Sequence, residues 1–198
     1  MFDPELALST VYFEKQESGS QLCVLHCLNN VLQGPCFSVE DLVAISTELD
    51  RAERALLRDH ELLRSYAHDS LNLSETGFFS VQVLEAALGV YGVHWQPFGR
   101  EAVGKRAVRS AACSAVAYGA LLLHQSSHWF ALRRFGRKQT SRRWVLLDSL
   151  KTRPEIRRSD EVVALVARYL SAGAVVFGIP KQALPETLAD QSGVWEIA

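Results

Sequence analysis

The hydrophobic period of this chain switches near Gly92, and that switch limits the folds open to it more than any other feature. Before it, apolar residues recur at helical spacing. Cys23 to Gln33 reads as a short helix with Gly34 and Pro35 as its stop signals. Ser38 followed by Asp41 resembles a capping box, and Leu42, Ile45 and Leu49 continue from it on one face. A third helix follows Ser80, carrying Val81, Leu84, Ala87, Leu88 and Tyr91. After Gly92 the runs Val93–Phe98, Ala115–His124, His128–Phe135, Trp144–Leu150 and Ala174–Ile179 are rich in Val, Leu and aromatics and read as strands. One more helix, Asp160 to Ala172, is closed by Gly173. Helices first and mostly antiparallel strands later define an α+β fold.

With 198 residues the chain is expected to form one domain with a sizeable core. A formal net charge of -1 asks for neither nucleic acid nor an anionic membrane as partner. No apolar run approaches the roughly 18–20 residues of a membrane span. The acidic start MFDPELALSTVYF lacks the basic segment of a secretory signal. Cys23, Cys27, Cys36 and Cys113 are too unevenly spaced for a disulfide framework, so a reducing compartment, cytosol or nucleus, is expected. Two charged stretches stay open on pattern alone. Glu48 to Asp69, with Leu56, Leu57, Leu62 and Leu63 as a narrow apolar stripe, fits a core helix or a projecting helical hairpin equally. Arg133 to Arg143 reads as a solvated hairpin tip, with a patch for an acidic partner as the sharper alternative.

EKQESGSQLCVLHCLNN, Glu14 to Asn30, concentrates reactive side chains. Cys23, His26 and Cys27 could share one side of a helix, but a structural zinc site needs four ligands and no second Cys/His pair follows. A disulfide between Cys23 and Cys27 within one helix meets the wrong distances and directions. What remains is a choice between small buried cysteines and a nucleophile. Cys23 sits where SGSQ gives way to a helix. With Ser20 as N-cap it would occupy the first turn, where unpaired N–H groups and the helix dipole favour a thiolate. Cys27 lies one turn deeper and loses that benefit.

A thiolate nucleophile needs a histidine, and the histidine needs an orienting partner. His26 shares the helix of Cys23, His60 and His68 fall in the charged segment, and His94 begins an aromatic strand. His124 and His128 flank QSS, a turn between strands, with His128 at the head of SHWFAL. The next strand, RRWVLLDSL, carries Asp148 amid apolar neighbours, where a carboxylate is costly to bury unless paired. Histidine and acid on adjacent strands is the arrangement that orients an imidazole.

Four blocks in order, YFEKQ…LCVLHCLNNVLQG, GFFSVQVLEAALGVYG, SHWFALR and WVLLDSL, followed by VARYLSAGAVVFGIP, make the chain resemble the Josephin family of papain-like deubiquitinating cysteine proteases. The resemblance covers Val11 to Leu188, and the CGSCW signature of the cathepsin branch is absent. It implies Cys23 as nucleophile, His128 as general base and acid, Asp148 as orienting residue and Gln16 as oxyanion-hole donor. It implies ubiquitin, ubiquitin chains or ubiquitinated proteins as partners, with Val81 and Gln82 near the cleft and Phe37 and Tyr91 on a second surface. No metal or organic cofactor is expected, and the protein is read as a monomer. The corresponding organisation is an extension over 1–10, a catalytic domain over 11–188 with a helical arm at 48–69, and a tail over 189–198.

One departure stands out. The six residues ESGSQL between Gln16 and Cys23 exceed the family's usual spacing by two. Either the turn bulges, or the hole is built differently, with Gln21 as donor. The expected activity is thiol-dependent hydrolysis of the bond after ubiquitin's C-terminal glycine. The alternative is a ubiquitin-binding module whose insertion misassembles the triad.

Overall fold

A computed structural model describes residues 2–57, 70, 72–74, 77–99, 101–102, 104–136 and 143–195. His60, His68, Leu62, Leu63 and the second half of the charged 48–69 segment lie outside the described residues. The described elements, in chain order, are α1 (Pro4–Leu8), α2 (Cys23–Leu32), α3 (Val39–Leu57), α4 (Val81–Val90), β1 (Gln96–Phe98), α5 (Lys105–Ser114), β2 (Ala120–Gln125), β3 (His128–Phe135), β4 (Arg143–Leu147), β5 (Glu155–Arg157), α6 (Ser159–Ser171), β6 (Val175–Ile179) and α7 (Leu188–Gln191). The strands form one antiparallel sheet in the order β1-β6-β2-β3-β4-β5. The fold is α+β.

Alternation along the central strands divides the core in two. Ala131, Val145 and Leu147 face Leu28 and Val31 of α2 together with Leu84 and Leu88 of α4. Phe130, Leu132, Trp144 and Leu146 face Val162 and Val166 of α6 and Ala112 of α5. The period of two along β3 and β4 thus covers the sheet with helices on both sides. Because α2 lies flat on the inner strands, its first residue reaches the end of the sheet where β3 begins.

Local signals account for most of the boundaries. Ser38 and Asp41 form the capping box expected of them, with Ser38 N donating to Asp41 Oδ2 at 2.8 Å and Asp41 N to Ser38 Oγ at 3.2 Å. Ser80 caps α4 by accepting from Val83 N. α2 ends at Gln33 rather than at the glycine after it. Gln33 takes the left-handed conformation (φ 65°), and its side chain bridges both backbone groups of Tyr12 at 3.0 Å. α3 runs on through the first part of the charged segment, and Asp50 is buried against Asn72, whose Nδ2 donates to it at 2.8 Å.

The described elements depart from the sequence reading at several points, α1 and α7 among them. α5 lies between the strands expected at Val93–Phe98 and Ala115–His124, where the sequence indicates no element, because its buried face consists only of Val108 and Ala112 and gives little hydrophobic period. A 3-10 turn at Ala115–Ala117 takes the start of the expected second strand. β1 and β5 are three-residue edge strands, too short to show alternation. Of the basic stretch Arg133 to Arg143, residues 137–142, where the hairpin tip was expected, lie outside the described residues, and its described flanks are structural. Arg133 is fully buried within β3, donating to Val31 O, Pro185 O and Asp190 Oδ2, and Arg134 is buried beside it. Arg143 opens β4 with its guanidinium 4.1 Å from the centre of the Phe2 ring. These three arginines build structure.

Both ends of the described chain pack onto this core. Trp195 is fully buried, its Nε1 donates to Thr10 Oγ1 at 3.1 Å, and Asp190 is held by Arg133 and Lys181.

Candidate active site

Cys23 is the first residue of α2 and is 2% exposed. The cap is Leu22 instead of Ser20, and it supplies no side-chain hydrogen bond to the helix. Ser20 Oγ accepts from Leu22 N at 3.3 Å. Cys23 therefore stands at the mouth of a helix whose first N–H groups are uncapped by Leu22, the end that favours negative charge. Its thiol donates to the Ser127 carbonyl across 3.8 Å. Cys27, one turn deeper, is completely buried, and that burial raises its thiol well above the ordinary range.

Ser127 belongs to the two-residue turn joining β2 to β3, in which Gln125 pairs with His128. Ser126 and Ser127 have φ of 50° and 60°, the two left-handed residues of a type I′ hairpin, a conformation that Asn-Gly adopts with less strain. This tight turn places His128 at the first position of β3, beside the start of α2.

His128 Nε2–H donates to Asp148 Oδ1 at 2.8 Å, which leaves Nδ1 free for a second partner. Asp148 lies just past the end of β4, where Leu150 N also donates to Oδ1 at 3.1 Å. Burial alone would lower the pKa of His128. The hydrogen bonds and charges of Asp148 and Cys23 outweigh it and lift the imidazole to about 9. Burial would raise Asp148, but its bonds to His128 and Leu150 N win and hold it below the usual carboxylate range. Cys23, His128 and Asp148, from three different elements, are thus brought together.

Gln16 is buried on the extended segment preceding α2. Its backbone N–H donates to Ser149 O at 3.0 Å, and Ser149 Oγ donates to Gln16 Oε1 at 2.8 Å. That contact fixes the amide so that Nε2 is the outward-working donor. One Nε2–H reaches Ser20 O at 2.9 Å. The longer spacing before Cys23 is absorbed by a turn in which Ser20 N donates to Glu17 O at 3.1 Å, with Gly19 at φ 82°. Positive φ at this third position is what a type II turn requires of glycine. The turn bulges outward. Gln21 makes no comparable contact, and its Oε1 is buried with no hydrogen-bond partner.

A cavity of about 750 Å³ opens from the Ser127 turn, walled by His124, Trp129, Phe177, Phe79 and Val81. Val81 is 43% exposed, and Gln82 beside it is exposed as well. On another face Tyr91 is 47% exposed, but Phe37 is buried and packs edge-on beneath it at 5.4 Å. Among the described residues no cluster of three His, Cys, Asp or Glu side chains could hold a metal ion, and no helix is long and apolar enough to cross a membrane.

Sequence reasoning missed Ser149, the Ser126–Ser127 strain and the tasks of Glu14, Asn29 and Asn30. A lone serine after the aspartate in an apolar run is the one signal that could have singled out Ser149. Glu14, Asn29 and Asn30 were visible as polar residues in a stretch otherwise destined for burial.

The Josephin family model matches residues 17–179. The human protein named Ataxin-3-like protein is 32% identical over 194 residues, covering 91% of this chain and 49% of that protein. Rat Ataxin-3 is 31% identical over 189 residues, covering 93% and 50%. An Arabidopsis thaliana Ataxin-3 homolog is 31% identical over 173 residues, covering 84% and 58%. The chain thus spans about half the length of the curated relatives it matches. With the family model spanning most of an α+β chain that joins a cysteine-headed helix to a histidine–aspartate strand pair, this protein belongs to the Josephin family.

Proposed function

We propose that the chain is a thiol-dependent deubiquitinase that hydrolyses isopeptide or peptide bonds after the C-terminal glycine of ubiquitin. The observation that carries this reading is the convergence of Cys23 at the head of α2 with the His128–Asp148 pair. His128 Nδ1 takes the proton of the Cys23 thiol, and the thiolate attacks the glycine carbonyl carbon. Negative charge then develops on the carbonyl oxygen, which the Cys23 N–H and Gln16 Nε2–H are disposed to receive. As the tetrahedral intermediate collapses, His128 returns its proton to the leaving amine and a thioester remains. Water, deprotonated by His128, attacks the thioester and releases ubiquitin and the thiol. Asp148 orients the ring and stabilises the imidazolium throughout.

Ubiquitin would be engaged by Val81 and Gln82, with Val81 on the wall of the cavity that reaches Ser127. A second contact would be made by Tyr91, with Phe37 buttressing it from below. The deciding experiment is covalent labelling with ubiquitin bearing a C-terminal electrophile. A stoichiometric adduct on Cys23 is expected. Ubiquitin binding without any adduct would reduce the chain to a ubiquitin-binding module.

The charge on His128 sets the pH profile. The imidazolium is present below its pKa and is lost as pH rises through about 9, so kcat/KM on a ubiquitin C-terminal reporter should fall above about pH 9. Asp148→Ala removes contributions that raise this pKa, so the alkaline limb should move to lower pH and activity should drop. Asp148→Asn keeps an acceptor for Nε2–H and should retain more activity than the alanine variant. Equal kcat/KM for Asp148→Ala and wild type, with coincident alkaline limbs, would make Asp148 a purely structural residue.

A further inference from the structure

We infer that Glu14 is a positioning residue that sets the distance between Gln16 and the nucleophile helix, an inference that rests on the oxyanion role proposed for Gln16. Glu14 is two residues before Gln16 on the extended segment. Its carboxylate gathers three partners. His26 Nδ1–H donates to Oε2 at 2.7 Å, while Asn29 Nδ2 at 3.0 Å and the Tyr12 hydroxyl both donate to Oε1. Two of these partners, His26 and Asn29, stand on α2, one and two turns beyond Cys23.

The Glu14 backbone is tied to the same helix. Glu14 N donates to Asn30 Oδ1 at 2.6 Å, and Asn30 Nδ2 donates to Glu14 O at 3.1 Å. One turn along, Gln33 does the same for Tyr12. Side-chain amides of α2 thereby stand in for a neighbouring strand, pairing the segment from Tyr12 to Glu14 in a ladder. Asn30 is fully buried, so its amide bonds are costly to lose. Burial and the bond to Glu14 also raise the Tyr12 phenol, which stays a hydrogen-bond donor across the working pH range.

Placement of Gln16 is settled by two clamps. Ser149 holds its amide and backbone from the β4 side. Glu14 holds the segment from the α2 side, through the helix that begins at Cys23. Without the second clamp the donor is still present, but its distance from the nucleophile is no longer fixed. Errors of this kind at an oxyanion donor cost rate more than binding.

A double-variant cycle on a ubiquitin C-terminal reporter tests this. Glu14→Ala should lower kcat by roughly tenfold, less than loss of the donor itself, with little change in KM. In the Gln16→Ala background the same substitution should cost nothing further, because the group it positions is gone. Glu14→Gln keeps acceptors for Tyr12 and Asn29 and should recover most of the rate. It also decides the cycle should the alanine variant not fold. Full additivity of the Glu14 and Gln16 losses would make Glu14 a general stability residue and overturn the inference while leaving the oxyanion role standing. Wild-type kcat in Gln16→Ala would remove the oxyanion role, and this inference with it. Hydrogen exchange supplies an arm that needs no turnover. Glu14→Ala should speed exchange of the Gln16 amide, now bonded to Ser149 O, relative to the amides inside α2. Unchanged exchange there overturns the clamp whatever the activity.

Discussion

Cys23→Ala should abolish both hydrolysis of ubiquitin conjugates and labelling by a ubiquitin electrophile, whereas Cys27→Ser should leave both substantially intact. The two thiols are four residues apart on one helix and both are buried, so burial does not separate them. Their electrostatic settings do. Cys23 has the unpaired N–H groups of the helix mouth beside it and contributes to the raised pKa of His128. Cys27 lies inside the core, where burial and the neighbouring Cys23 and Asp148 charges all oppose ionisation. Serine at position 27 introduces a hydroxyl without changing the shape much, so some stability is lost while the triad is kept. The measurement is intact-mass detection of the adduct together with reporter turnover. An adduct that persists in Cys23→Ala and vanishes in Cys27→Ser would reverse the assignment.

How much of this was legible beforehand depends on the distance over which each signal acts. The β3 strand from His128 to Phe135 and the α4 start after Ser80 are written in local residues, through aromatic alternation and a capping serine. The pairing of His128 with Asp148 was inferable because adjacent antiparallel strands bring one's beginning near the other's end. α5 was not, since alanines bury little area and leave almost no period. The exposure of Tyr91 over a buried Phe37 could not be read from spacing either. Tyr91 follows α4 at a position that helical periodicity assigns to the core, yet Gly92 turns the chain there and leaves its ring outside. Arg133 was hidden for a different reason. A guanidinium is placed in a core only when distant carbonyls and a carboxylate meet it, and Val31, Pro185 and Asp190 are far away in sequence.

Between the two glutamines before Cys23, the rate should depend on Gln16. Gln16→Ala should lower kcat by on the order of 10²-fold, as removal of one oxyanion donor typically does. Gln21→Ala should change it by less than about tenfold, or roughly 1.4 kcal/mol. The difference lies in how each amide is held. Gln16 Oε1 accepts from Ser149 Oγ, which turns Nε2 toward Ser20 and the start of α2 with its second hydrogen still available. Gln21 stands two residues before the nucleophile, and its buried Oε1 is unpartnered, so truncating it removes an unsatisfied acceptor along with some packing. The bulged turn with Gly19 at its third position is what lets Gln16 keep this place despite the longer spacing. Alkylation of Cys23 by a small thiol reagent should survive in both variants, because ionising the thiol requires no oxyanion donor. Measuring kcat and alkylation side by side therefore separates a lost donor from a disturbed nucleophile. A larger kcat loss in Gln21→Ala than in Gln16→Ala would place the hole on the other glutamine, and loss of alkylation in Gln16→Ala would mean that the segment supports the thiol instead of the carbonyl oxygen.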